Sequence, residues 1–79
     1  MDRAAILAVL VAEIREVVPE LADQAITESD SMAELGVNSI ERSEILMNAL
    51  EKLDLDLSMT QLHGPRNLGE LADLLHGKF

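Results

Sequence analysis

The aliphatic side chains Ile6, Leu7, Leu10, Val11, Ile14, Val17 and Val18 recur at three- and four-residue spacing, a period that an α-helix turns into one buried stripe. Glu13 and Glu16 are expected on the other, solvated side. Asp2 can cap the start of this helix. Pro19 can neither donate to the helical ladder nor leave Val18 comfortable in helical geometry, so the helix is expected from Asp2 to Val18. Its partners must also be built from Leu, Ile, Val, Met and Ala, because the only aromatic residue is Phe79 and cysteine is absent. A chain of 79 residues has room for a single domain, residues 1–79, with a modest core held by helix packing. The expected fold is all-α: a small four-helix bundle, three long helices and one short, with a long first loop.

Fifteen acidic against six basic residues give a formal net charge of −9. Neutralising a polyanion needs clustered Lys and Arg, so nucleic acid is excluded as a partner, whereas basic protein surfaces are attracted. The lack of cysteine removes disulfides, thiolate catalysis and thiolate metal sites, and suits a reducing compartment; the cytoplasm is expected. The apolar run near the N-terminus is broken by Glu13, Arg15 and Glu16, which fits neither a signal peptide nor a membrane span.

From Pro19 to Asn38 the periodicity is lost. Asp23, Thr27, Ser29, Asp30 and Ser31 supply turn chemistry, and Leu21, Ile26, Met32 and Leu35 appear singly, as anchors of a long loop with a short helical turn around Ser31 to Leu35. A second helix is expected from Ser39 to Leu53. Asn38 and Glu41 stand in capping-box register, which leaves the Ser39 hydroxyl unused by capping and free on the surface.

With residues about 100° apart and Ser39 at zero, Ile45, Leu46, Ala49, Leu50 and Leu53 fill an arc from roughly 240° to 20°. Ile40 and Met47 fall near 80–100°, and Glu44, Glu51 and Glu41 follow at roughly 120–200°. One packing face is too narrow for the whole apolar arc. Ile45, Ala49 and Leu53 are therefore expected inward, and Met47, with Leu50, accessible beside the carboxylates as a partner-binding edge. That Met47 merely covers the loop is the plainer alternative. After a short connection, Ser58 to Leu62 reads as one helical turn ended by His63-Gly64-Pro65. The last helix is capped by Asn67, with Glu70 at the capping-box position, and carries Leu68, Leu71, Ala72, Leu74 and Leu75; Gly77 suits a left-handed C-cap.

Sites for chemistry of the chain's own are missing. Asp54, Asp56 and Ser58 imitate the opening of a calcium loop, but the required glycine is Met59 and the required closing acid is Pro65. His63 and His76 fit no HxxxH spacing and read as surface residues, too few for a structural zinc. Ser39 lacks the flanking glycines of a nucleophile elbow, and no constellation for catalysis is found. A helix N-terminus does favour a phosphate group, through its free N–H groups and dipole. The residues therefore permit a phosphorylated or phosphodiester-linked Ser39 and equally an unmodified helix-start serine.

Leu35-Gly36-Val37-Asn38-Ser39-Ile40 resembles the prosthetic-group attachment site of acyl carrier proteins, usually Leu-Gly-x-Asp-Ser-Leu. The likeness extends through the first helix closed by Pro19, the long loop, the acidic second helix and the final Asn67-Leu68-Gly69-Glu70-Leu71. The resemblance implies a covalent 4′-phosphopantetheine arm on Ser39, added from coenzyme A by a phosphopantetheinyl transferase, whose thiol carries acyl groups as thioesters. It also implies that Glu41, Glu44, Met47 and Glu51 meet partner enzymes and that Ile40 contacts the arm.

Asn38 stands where the usual Asp would be. Asn38-Ser39-Ile40-Glu41-Arg42 looks more like the free-standing carriers of polyketide clusters serving hydroxymethylglutaryl-synthase-type β-branching than like fatty acid carriers. Acyltransferase, ketosynthase-like decarboxylase and HMG-CoA-synthase-like enzymes are then the implied partners of a monomer that delivers an acetyl unit made from malonyl. A fatty acid carrier, or an acidic helical interaction module without a prosthetic group, stands as the alternative.

Overall fold

A computed structural model describes the chain from Met1 to Phe79 as three α-helices and two 3-10 turns, without strands. Helix α1 spans Arg3–Val17, followed by the turn Pro19–Leu21; α2 spans Ser39–Leu53; the second turn is Met59–Leu62; α3 spans Leu68–His76. The long first loop and the bounds of α2 are as expected. The expected short helix is instead a single 3-10 turn, closed by Gln61 N–H to the Ser58 carbonyl at 3.1 Å. Gly64 and Pro65 follow too soon for an α-helical turn to propagate.

Helix α1 is the hub. The Asp2 carboxylate accepts from Ala5 N–H at 2.8 Å and caps its start, while Ile6, Leu10 and Ile14 are fully buried. Burying each of these side chains contributes about 1.5–3 kcal/mol. Both α2 and α3 pack on α1 and barely meet each other. Ile45, Leu46, Ala49, Leu50 and Leu53 of α2, and Leu68, Leu71, Ala72 and Leu75 of α3, complete the core.

The first loop is pinned from both sides. Met32 and Val37 are buried in the core, and Leu68 N–H and Gly69 N–H donate to the carbonyls of Asp30 and Glu28 at 2.9 and 2.8 Å. A Cβ on Gly69 would stand 3.2 Å from the Glu28 backbone, so a glycine allows the loop to lie this close to α3. Arg3 ties the same corner through Glu28 and Asp73, and its pKa is raised by them.

Four expectations of burial and capping are corrected. Leu50 is buried, only 7 % exposed, because the single core that α2 faces takes in Met32 and Val37 of the first loop and Leu62 of the second turn as well as α1, and is wider than one helix–helix contact. Gly77 has φ −66° and ψ −11°, so α3 ends in right-handed geometry, with Gly77 N–H donating to the Asp73 carbonyl. Asp54, at φ 55°, is instead the left-handed cap of α2, where Leu55 N–H reaches the Leu50 carbonyl at 3.0 Å; a short polar side chain tolerates this conformation. Asn67 caps α3 through Glu70 N–H, but Glu70 accepts from Arg66 N–H, one residue short of closing the expected box.

The fourth correction is Glu13, which lies 1 % exposed between α1 and α2, not in solvent. Its carboxylate is ion-paired with Lys52 near the end of α2, and Lys52 also stands 3.7 Å from Glu16. A buried carboxylate needs such a partner.

The hydrogen bond to Glu13 raises the Lys52 pKa above its ordinary 10.5, with burial opposing and the charges of Glu13 and Glu16 adding. The folded chain therefore holds this proton more tightly than the unfolded chain. The contribution is complete below pH 10.5 and disappears as pH rises through the raised value. The chain has no tyrosine or cysteine, and Lys78, the only other lysine, forms no ion pair. Urea unfolding midpoints are thus expected to fall between about pH 9 and about pH 11.5 for the natural protein and to hold for Lys52→Arg. A parallel fall in the two proteins would contradict this assignment.

Candidate functional site

The turn before α2 is built to end on an exposed serine. Ser31 Oγ accepts from Glu34 N–H at 3.1 Å, Gly36 N–H donates to the Ala33 carbonyl at 3.1 Å, and Val37 N–H reaches back to the Met32 carbonyl at 2.9 Å. Gly36 has φ 85°, a left-handed conformation that favours glycine. Val37 then plugs into the core, and the next three residues emerge into solvent.

At the helix start the expected capping box is complete. Asn38 Oδ1 accepts from Glu41 N–H at 2.8 Å, and Glu41 Oε1 accepts from Asn38 N–H at 3.1 Å. The Ser39 hydroxyl makes no hydrogen bond within the chain; only its carbonyl is used, accepting from Ser43 Oγ at 3.1 Å. The N–H groups of Ser39 and Ile40 are likewise unpartnered. An exposed hydroxyl thus stands at the positive end of a helix whose first two N–H groups are free.

The remaining expected site residues divide. Ile40, Glu44, Met47 and Glu51 form one exposed ridge along α2, with Ile40 81 % and Met47 56 % exposed. Glu41 is only half-exposed and committed to the cap, so it belongs to the helix start rather than to the ridge. The other flank of α2 was not singled out from the sequence. There Arg42, Ser43 and Leu46 face a cavity of about 250 Å³, walled opposite by Leu62, His63, Arg66 and Leu68. The available signal was the position of Arg42, three residues after Ser39 and on its side of the helix.

Residues 8–75 match the family model of a phosphopantetheine attachment site. The chain is also 41 % identical, over 99 % of its own length and 95 % of the relative's, to the polyketide biosynthesis acyl carrier protein AcpK of Bacillus subtilis strain 168. This chain belongs to the acyl carrier protein family. Among solved structures, a carrier-sized chain in the crystal structure of the curacin biosynthetic pathway HMG synthase in complex with acetyl donor-ACP superposes with a TM-score of 0.92. Identity there is 38 %, covering 98 % of this chain and 99 % of that one.

The family's prosthetic group is 4′-phosphopantetheine, joined to the protein as a phosphodiester. The start of α2 fits such a group: a free hydroxyl to bear it, two free N–H groups to face its anionic oxygens, and Arg42, which forms no ion pair, on the adjoining flank. The carrier retains this geometry with Asn38 because an amide oxygen caps as well as a carboxylate does. Asn38→Ala is expected to lower unfolding free energy by about 1 kcal/mol in urea titrations, and Asn38→Asp to leave it nearly unchanged. Equal losses in both variants would show that the carboxamide does something other than cap.

Proposed function

We propose that Ser39 is the attachment residue and that the chain, a single carrier domain at residues 1–79, is a donor carrier for polyketide β-branching. It would present an acetyl thioester, formed from malonyl, to an HMG-synthase-like enzyme. The observation that carries this reading is the full-length likeness to an acetyl donor carrier, together with a Ser39 hydroxyl that nothing in the fold engages. The polyketide relative supports the same pathway class. The turn Met59–Leu62 is read as taking the place of the short helix in a four-helix carrier bundle.

The residues then have separate tasks. Asn38 and Glu41 close the helix start and keep the serine presented in one orientation. The N–H groups of Ser39 and Ile40 hold the phosphodiester, and the arm supplies the thiol that the cysteine-free chain lacks. The ridge of Ile40, Glu44, Met47 and Glu51 docks on client enzymes, its carboxylates steering toward basic surface and Met47 adapting to apolar contact. No side chain of the carrier acts on the thioester; the chemistry belongs to its partners. These are a phosphopantetheinyl transferase, an acyltransferase, a ketosynthase-like decarboxylase and an HMG-CoA-synthase-like enzyme. We place it in the cytoplasm with its coenzyme A donor, as a monomer.

Incubation with coenzyme A and a broad phosphopantetheinyl transferase is expected to add the mass of one arm, and Ser39→Ala to abolish the addition. The acetyl-loaded protein is then expected to serve an HMG-synthase-like enzyme better than a fatty acid ketosynthase. Addition that survives Ser39→Ala would remove the site assignment. Equal or better transfer to the ketosynthase would remove the branching role.

A further inference from the structure

The chain has six Lys and Arg residues against fifteen acids, and half of these cations are occupied within the fold. Arg3 is paired with Glu28 and Asp73, Lys52 with Glu13 and Glu16, and Arg15 donates to the Gln24 carbonyl. Arg42 and Arg66 form no ion pair and no side-chain hydrogen bond, and both line the cavity between α2 and α3, with His63 beside them. In a molecule of net charge −9, two unspent guanidinium groups on one cavity make a local anion site.

The α2 wall of the cavity also lies on the same side of the helix as Ser39. Counting about 100° per residue from Ser39, Arg42, Leu46 and Ser43 fall at roughly 300°, 340° and 40°, an arc centred on the bearing of Ser39 itself. The exposed ridge lies to one side, at roughly 80–140°. A group tethered to Ser39 therefore reaches this opening without crossing the docking ridge. The floor is apolar, with Leu46, Leu62 and Leu68 buried. Its volume of about 250 Å³ is near that of eight waters, comfortable for a malonyl group.

We propose that this cavity discriminates between carried groups by charge: Arg42 and Arg66 hold the free carboxylate of a tethered malonyl-class thioester and leave an acetyl group unheld. The apolar floor would accept any short acyl chain, whereas the guanidinium rim selects one ending in a carboxylate. Decarboxylation removes that carboxylate as CO2 and puts a proton on the same carbon. The acetyl product has nothing for the arginines to hold, so it is released toward the docked enzyme. This inference rests on the carrier reading above and adds the selection of the carried group.

The test compares the holo, acetyl-loaded and malonyl-loaded proteins by backbone amide NMR and by reaction of the thioesters with hydroxylamine. Each thioester is referred to the same one on free pantetheine. Malonyl loading is expected to shift the amides of Arg42, Ser43, His63 and Leu68 beyond their holo positions, with much smaller shifts on acetyl loading. The malonyl thioester is expected to be protected about threefold at low salt, an exposed ion pair's worth, and the acetyl thioester not at all. The double variant Arg42→Gln with Arg66→Gln should keep the amide spectrum of the fold and lose the protection.

Equal shifts for acetyl and malonyl would overturn the proposal in favour of apolar contact alone. Shifts already present in the holo form and removed by Arg42→Gln would assign the anion site to the phosphodiester instead. Failure to load any arm is separate: it sinks the carrier reading itself, whereas loading without malonyl-specific effects sinks only the charge selection.

Discussion

The buried stripe of Ile6, Leu10 and Ile14 along α1 is the one surface that α2 and α3 share. A chain with a single terminal aromatic and no cysteine has few other ways to hold itself together, so both later helices pack on α1 and scarcely on each other. Two consequences follow. Helix α2 is anchored by Ile45, Leu46, Ala49, Leu50 and Leu53, which leaves its ridge of Ile40, Glu44, Met47 and Glu51 exposed. The gap between α2 and α3 stays partly open at the end where the serine sits, which creates the cavity. The presentation of Ser39 and the cavity on its side of α2 are two results of the same sparse packing.

Charge is arranged with similar economy. Acids line the exposed ridge of α2 and give it a negative potential. Two of the six bases serve as ties: Arg3 joins α1, the first loop and α3, and Lys52 joins α2 to the buried Glu13 of α1. Arg42 and Arg66 are paired with no acid of the chain, and both line the cavity between α2 and α3.

Much of this was legible in the sequence because it rests on local rules. The Asn38–Glu41 box, the end of α1 at Pro19, the bounds of α2 and the exposure of Ser39 and Met47 follow from capping chemistry and helical period. What escaped depends on contacts between distant segments. Glu13 lies on the expected polar side of α1, yet it is buried because α2 brings Lys52 to it. Leu50 is covered by segments that a helical wheel does not contain. Gly77 and Asp54 exchanged the expected left-handed cap, since a glycine permits that conformation without requiring it. The Arg42 flank was visible as a position, but not as a cavity, until α3 and the Met59–Leu62 turn supplied its other wall.

The central claim is that the ridge beside Ser39 is what enzymes bind and that the remaining acidic surface is not. Initial rates of phosphopantetheine loading test it most directly, with Glu44→Lys and Glu51→Lys compared against Glu20→Lys, an equally exposed acid in the turn after α1. The account predicts that kcat/KM drops on the order of tenfold for each ridge variant and stays near the natural value for Glu20→Lys. Equal losses in all three variants, or none in the ridge variants, would contradict it.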